Sequence, residues 1–189
     1  MGTVIAPVCV ILSATGLALT VTDQAGITVD TPHADITKQS VTAHPQRWSA
    51  YPAGDDLMFI TNWPGNAGRV LAMRPDGSLA TDHLDIFAHE SSNVLHRWNI
   101  ATIRPKNPFP DWVAPAAQIV DFVNKEGNAR TGFVAVRPAS DYDRNLNILG
   151  DGPYQPGSAI AAWDGWSGGD PNESWALLKL WTQQFPDNW

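Results

Sequence analysis

The sequence predicts an all-β fold, a small closed barrel built from three similar units. Three observations carry this. Tryptophans close three related segments: Trp48 in Gln46-Arg47-Trp48, Trp98 in His96-Arg97-Trp98 and Trp175 in Asn172-Glu173-Ser174-Trp175. Between them, short runs alternate apolar and polar residues, the mark of strands buried on one face. The 189 residues also include 15 Gly and 15 Pro, which supply the many turns such a chain needs. A unit this small cannot bury its own apolar face, so repetition implies that the copies pack on one another.

The first unit begins with Val4 to Val21, which reads as a strand, a turn at Ser13-Ala14-Thr15-Gly16 and a second strand. The Leu-centred strand is Gly16 to Val21, and a third lies near Ile27-Thr28-Val29. The second unit repeats this with Arg69 to Met73, after a hairpin turn at Gly65 to Arg69, and with His83 to Phe87. The third opens at Gly132 to Val136 and continues with Asn145 to Leu149 and Ser158 to Trp163. About four strands per unit give about twelve, enough to close a barrel and leave no exposed edge.

The three tryptophans stand 50 and 77 residues apart. The spacings become equal if the third unit carries an insertion of about 27 residues. The units then span about residues 4–51, 57–103 and 132–180 of one domain, 1–189, with the insertion at about 104–131 and a tail at 181–189. Within the insertion, Arg104 to Pro110 is too rich in proline to pair in a ladder. Ala114 to Glu126 reads as a helix with Pro115 in its first turn and Gly127 at its end, and a strand at Gln118 to Val123 competes. In the tail, Trp181, Phe185 and Trp189 are expected to pack across one end of the barrel.

Hydrophobic residues make up 43% and charged residues 16%, the balance of a globular chain and not of a disordered one. The formal charge is −7 and the isoelectric point is near 5.0. No run of Lys or Arg is present to neutralise phosphates, so nucleic acid is not an expected partner. Cys9 is the only cysteine, which forbids an internal disulfide and fits a reducing, cytoplasmic setting. No Lys or Arg precedes Lys38, so the apolar start lacks the basic flank of a secretory signal. An imperfect signal is the competing reading. Pro7, Ser13, Thr15 and Gly16 interrupt the same stretch as a membrane span, and no membrane insertion is expected.

A threefold repeat that closes each copy on a Gln-x-Trp-like element resembles the β-trefoil of the ricin B-type lectins. The likeness is greatest in the third unit. There Trp163-Asp164-Gly165-Trp166-Ser167-Gly168-Gly169-Asp170-Pro171-Asn172-Glu173-Ser174-Trp175 looks like the fungal branch, with an aromatic residue, a Gly-Gly pair and then Asn-Gln-x-Trp. The resemblance implies a β-trefoil that needs no cofactor and no metal. Its partners would be glycans or glycoproteins, with a homodimer adding avidity, and no catalysis is implied. The family places an Asp after the Leu of the second strand, where it accepts hydrogen bonds from sugar hydroxyls. The matching residues are Thr20, Ala72 and Asn147, and the family's Gln is matched by Gln46, His96 and Glu173. Ala72 has no polar group and Thr20 is a poor substitute, whereas Asn147 keeps a donor and an acceptor. A sugar site is therefore expected in the third unit.

A sugar presents an apolar face and a ring of hydroxyls, so its site needs an aromatic platform and a few planar polar groups. Trp163 or Trp166 is the expected platform, since residues three apart on a strand point to opposite faces. Asn147, Asp164, Asp170 and Asn172 supply the polar groups, while Gly168 and Gly169 let the backbone come close. In the competing reading both tryptophans are core and the Gly-Gly pair is a turn. Trp48, Trp98 and Trp175 are expected in the core. Asn172-Glu173-Ser174 is also a glycosylation sequon, and a glycan there would sit in the site, which fits a chain that is not secreted or else one with a role other than a lectin's.

Other chemistry finds little support. His83, His89 and His96 lie near Asp85 and Glu90 without a metal-binding spacing, and read as surface or turn residues. No nucleophile elbow or phosphate loop occurs. Cys9 lies in an apolar strand and reads as an inert core thiol. A second resemblance, to the β-trefoil protease inhibitors of fungi, rests on Arg47 to Thr61 and on the proline-rich loop Arg104 to Trp112. It would make proteases the partners.

Overall fold

The computed structural model describes residues 3–41, 43–61, 63, 68–83, 96–102, 134–164 and 170–186. They contain twelve strands: β1 (Thr3–Ser13), β2 (Ala18–Val21), β3 (Ile27–Asp30), β4 (Trp48–Ala53), β5 (Asp56–Thr61), β6 (Arg69–Met73), β7 (Leu79–His83), β8 (Trp98–Thr102), β9 (Val134–Pro138), β10 (Asn145–Ile148), β11 (Ile160–Trp163) and β12 (Trp175–Pro186). No helix occurs among the described residues.

Six strands close a ring, each antiparallel to the next: β1, β4, β5, β8, β9, β12 and back to β1. The other six form three hairpins, β2–β3, β6–β7 and β10–β11. The hairpins meet in rotation. Gly26 bridges to Ala80, Ser78 bridges to Ala161, and the Gly157 amide donates to the Val29 carbonyl at 2.8 Å. The chain thus follows one path three times, a ring strand, a hairpin and a ring strand, and the result is a β-trefoil. Closure removes the free edges that so many short strands would otherwise expose.

The three tryptophans explain the repetition physically. Trp48, Trp98 and Trp175 each begin the fourth strand of a unit, and each is fully buried. A buried indole N–H needs an acceptor. Trp48 Nε1 donates to the Leu19 carbonyl at 3.1 Å, Trp98 Nε1 to Leu71 at 3.0 Å and Trp175 Nε1 to Leu146 at 2.8 Å. Each indole therefore fills the shared core and ties its unit's hairpin to the ring.

At the chain's start, Gly16 takes φ +87° and turns β1 into β2, as the Ser13–Gly16 turn requires. Pro7, which lacks an amide hydrogen, precedes a bulge between Val8 and Cys9, where pairing with β4 begins.

Two expectations need correction. The second unit's third strand begins at Leu79, before the expected start at His83, and is described as far as His83; residues 84–87 of the expected strand lie outside the described residues. The turn at Arg74–Ser78 sets this register, with the Gly77 amide bonded to the Arg74 carbonyl and Gly77 at φ +85°. The tail does not break at residue 180 either, because β12 runs on to Pro186 against the length of β1. Phe185 is buried in a second apolar cluster with Ala6, Tyr51, Ile60 and Val70, and Trp181 lies against the Arg47 guanidinium, 4.9 Å from its ring centroid. The expected helix, the proline-rich loop Arg104 to Trp112, residues 65–67 of the hairpin turn, and Trp189 lie outside the described residues.

Candidate functional site

The third unit holds a cavity of about 620 Å³ beside its hairpin. Four of the expected residues line it: Asn147, Trp163, Asp170 and Asn172. On β11 the side chains alternate, with Ile160 and Ala162 buried and Trp163 turned outward, 51% exposed. Asp164 is exposed next to Trp163 and is not part of the lining. Trp166 and Gly169 lie outside the described residues, as does Gly168.

Strand β10 and the turn before β12 build the polar wall. Asn145, fully buried, accepts from the Val136 amide at 3.0 Å and donates to the Glu173 carbonyl at 2.8 Å. This pins the turn to the ring. Within the turn, the Asp170 amide donates to Glu173 Oε1 at 3.2 Å, and Ser174 Oγ donates to the Asp170 carbonyl at 2.8 Å. Asn172 is clamped to Ile148: its carbonyl accepts from the Ile148 amide, and its Nδ2 donates to the Ile148 carbonyl, both at 2.9 Å. The same Nδ2 donates to Asn147 Oδ1 at 2.7 Å.

Asn147 is consequently held in one orientation, 6% exposed, and its own Nδ2 has no hydrogen-bond partner among the described residues. The Oδ1 of Asn172 has none among them either. The cavity therefore meets a fixed donor, a fixed acceptor and an exposed indole face.

Sequence reasoning missed the opposite wall, Gly150, Asp151 and Tyr154. The signal was the Gly150-Asp151-Gly152-Pro153-Tyr154 segment, in which turn residues deliver an aromatic next to the strand carrying Asn147. Gly150 and Gly152 take φ of +102° and +78°, and the Tyr154 hydroxyl donates to the Gly150 carbonyl at 2.9 Å. Burial and the charges of Asp151, Asp170 and Glu173 hold the Tyr154 phenol above its usual range.

Of the matching positions in the other units, Thr20 and Gln46 are already bonded within the fold, Ala72 has no polar group, and the buried His96 Nε2 has no hydrogen-bond partner among the described residues. Thr20 Oγ1 donates to the Ala18 carbonyl and accepts from Gln46 Nε2. Gln46, fully buried, also donates to the Thr31 carbonyl and accepts from the His33 amide. Arg47 gathers the adjoining loop by donating to the carbonyls of Asp35, Ile36, Lys38 and Val41. In the second unit, Ala72 offers no polar group, and His96 Nε2 lies 3.6 Å from Asp82 Oδ2.

His33, Asp35 and His44 bring donor atoms within 4.8 Å of one another, a cluster the sequence did not suggest. His44 Nδ1 accepts the Gln46 amide at 3.1 Å, which puts the ring proton on Nε2, 3.3 Å from Asp35 Oδ1. A metal ion at Nε2 would need that proton moved to Nδ1, opposite a backbone N–H. The geometry suits a hydrogen-bonded network instead. Burial holds His44 below its ordinary pKa, against the pull of Asp35. His83 is exposed, His96 is partly buried, and His89 lies outside the described residues. Cys9 is fully buried, and burial pushes its thiol up to about 12.

No family model matches the chain, and no curated protein matches it in sequence. Solved structures match its fold. The designed threefold-symmetric protein ThreeFoil aligns with a TM-score of 0.58 at 10% identity, over 91% of this chain and 98% of its own. A ricin B-like lectin of Macrolepiota procera, solved with lactose, aligns with a TM-score of 0.55 at 15% identity, over 91% and 94%. The C-terminal half of an earthworm R-type lectin, solved with GalNAc, aligns with a TM-score of 0.51 at 16% identity, over 92% and 98%.

Proposed function

We propose that this β-trefoil is a carbohydrate-binding protein of the ricin B-like type, without catalysis, that takes glycans mainly through its third unit. One observation carries the reading. At the position after the hairpin Leu, only the third unit combines a fixed polar group with an unused donor, Asn147, and an exposed aromatic face, Trp163. The ring stacks on the apolar face of a sugar while Asn147 Nδ2 and Asn172 Oδ1 fix its hydroxyls. The lectin neighbours, solved with lactose and GalNAc, favour the same ligand class. One shallow site of this kind binds a monosaccharide with Kd on the order of 1 mM, about −4 kcal/mol, and clustering multiplies it. A glycan array probed with the folded protein tests the reading. Signals that vanish in Trp163→Ala support it, and silence across the array from a correctly folded protein rejects it.

A further inference from the structure

The third hairpin departs from the other two at its tip. In each unit an equivalent backbone bond closes the hairpin. The Thr22 amide donates to the Gly26 carbonyl at 2.9 Å, the Arg74 amide to the Ser78 carbonyl at 2.9 Å, and the Leu149 amide to the Ala159 carbonyl at 2.8 Å. The first bond encloses residues 23–25, the second 75–77 and the third 150–158. Two tips of three residues thus stand beside one of nine, so the third unit carries six more. This is also the unit with the cavity, and Gly150, Asp151 and Tyr154 of the longer tip line it.

The longer tip is folded, not slack. The Gln155 amide donates to Ser158 Oγ and the Ser158 amide to the Gln155 carbonyl, both at 3.0 Å. The Gly157 amide donates to the Val29 carbonyl at 2.8 Å, and Thr28 Oγ1 donates to the Ser158 carbonyl at 3.3 Å. One half of the tip is therefore fastened to β3 of the first unit. In the other half, the Tyr154 hydroxyl bonds the Gly150 carbonyl and the Tyr154 ring packs on the main core. The wall facing the ligand is braced in advance, which lowers the ordering cost of binding. The cavity, about 620 Å³, falls in the range that takes a drug-sized ligand, and a single sugar ring is smaller than that. Trp163, Asn147 and Asn172 offer a stacking face, a donor and an acceptor, which suffice for one ring. Gly150, Asp151 and Tyr154 are left for its neighbour, with the exposed Asp151 carboxylate able to accept hydroxyls.

We propose, resting on the reading of this cavity as a glycan site, that the lengthened tip forms a second subsite. The third unit then reads two linked sugar rings, one on Trp163, Asn147 and Asn172 and the next against Gly150, Asp151 and Tyr154. The ligand class is a disaccharide unit, free or within a longer chain, in preference to a lone monosaccharide.

A concentration series of the full chain on an array of matched pairs tests this, each disaccharide printed beside its own terminal monosaccharide on the same linker. The pairs are lactose with galactose, N,N′-diacetylchitobiose with N-acetylglucosamine, and cellobiose with glucose. Clustering on the array acts alike on both members of a pair. In the pair that binds, the disaccharide is expected to bind about tenfold more tightly. Replacing residues 150–158 by Pro-Asp-Gly, the sequence at 75–77, should bring the two within about twofold, and Asp151→Ala should narrow the ratio. Trp163→Ala should abolish both signals. Equal binding of both members overturns the second subsite and leaves the glycan site standing. A tenfold preference that survives the shortened tip does the same. Where circular dichroism shows the shortened chain unfolded, Asp151→Ala and Tyr154→Phe decide, and an unchanged ratio in both overturns the subsite. If no saccharide binds the native protein, the subsite and the glycan site fail together.

Discussion

The first and third units place the same backbone path around different patterns of hydrogen bonding. In the first, Thr20, Gln46 and Arg47 turn inward and satisfy one another or the loop at residues 31–41. In the third, Ser174 makes a single short bond to its loop, and Asn147 is braced by Asn172 with its amide donor left over. A polar residue at this position is a structural rivet when its groups are consumed within the fold. Where a neighbour fixes it without using it up, as Asn172 does Asn147, its amide donor stays available. The trefoil supplies the position, and the local bonding decides its use.

Substitutions break the comparison in order of effect. Removing a closing tryptophan acts alike in every unit. Trp48→Ala and Trp175→Ala each lose a fully buried indole and its carbonyl partner, and urea unfolding should show a loss of about 3–5 kcal/mol. Gln46→Ala separates the units. It strips partners from the Thr31 carbonyl and the His33 amide, so stability should fall by about 1–3 kcal/mol while glycan affinity is unchanged. Asn147→Ala is the mirror case. Binding should weaken by about tenfold in a titration, with a loss of stability of only about 1 kcal/mol, because the bond it gives up is a single one to Asn172.

The smallest effect concerns pH. The folded pKa of His44 lies below its ordinary value of 6.5, so the unfolded chain takes up the proton first. The stability that neutral His44 provides is whole above about pH 6.5 and declines as pH falls through that value. Thermal melts across pH 7.5 to about 5 should show a drop in the native protein that is smaller in His44→Gln. An equal drop in both proteins would place the titrating group elsewhere.

The sequence carried the architecture because its evidence is repeated. Three tryptophans, each following a Leu-centred strand, can share one core in only a few ways, and chance rarely writes such a pattern three times. Single elements were less legible. The alternation of His83 to Phe87 does not show where the strand begins, whereas the Pro75-Asp76-Gly77 turn fixes the hairpin register and starts β7 at Leu79. The tail read as separate because the repeat ended, yet β1 reaches back to Thr3 and needs a partner along its length. At the site, Asn147 and Trp163 were visible because they sit on strands at repeat positions. Asp151 and Tyr154 were not, because a turn between strands carries no period to place its side chains.

The proposed recognition of a glycan mainly by the third unit, through Trp163, is open to direct test. Nitrogen-15 spectra of the indole N–H groups, recorded during titration with the best-scoring glycan of the array, supply it. The Trp163 resonance should move and saturate, while those of Trp48, Trp98 and Trp175, locked to the carbonyls of Leu19, Leu71 and Leu146, stay in place. A stationary Trp163 signal under saturating glycan would contradict recognition through this residue.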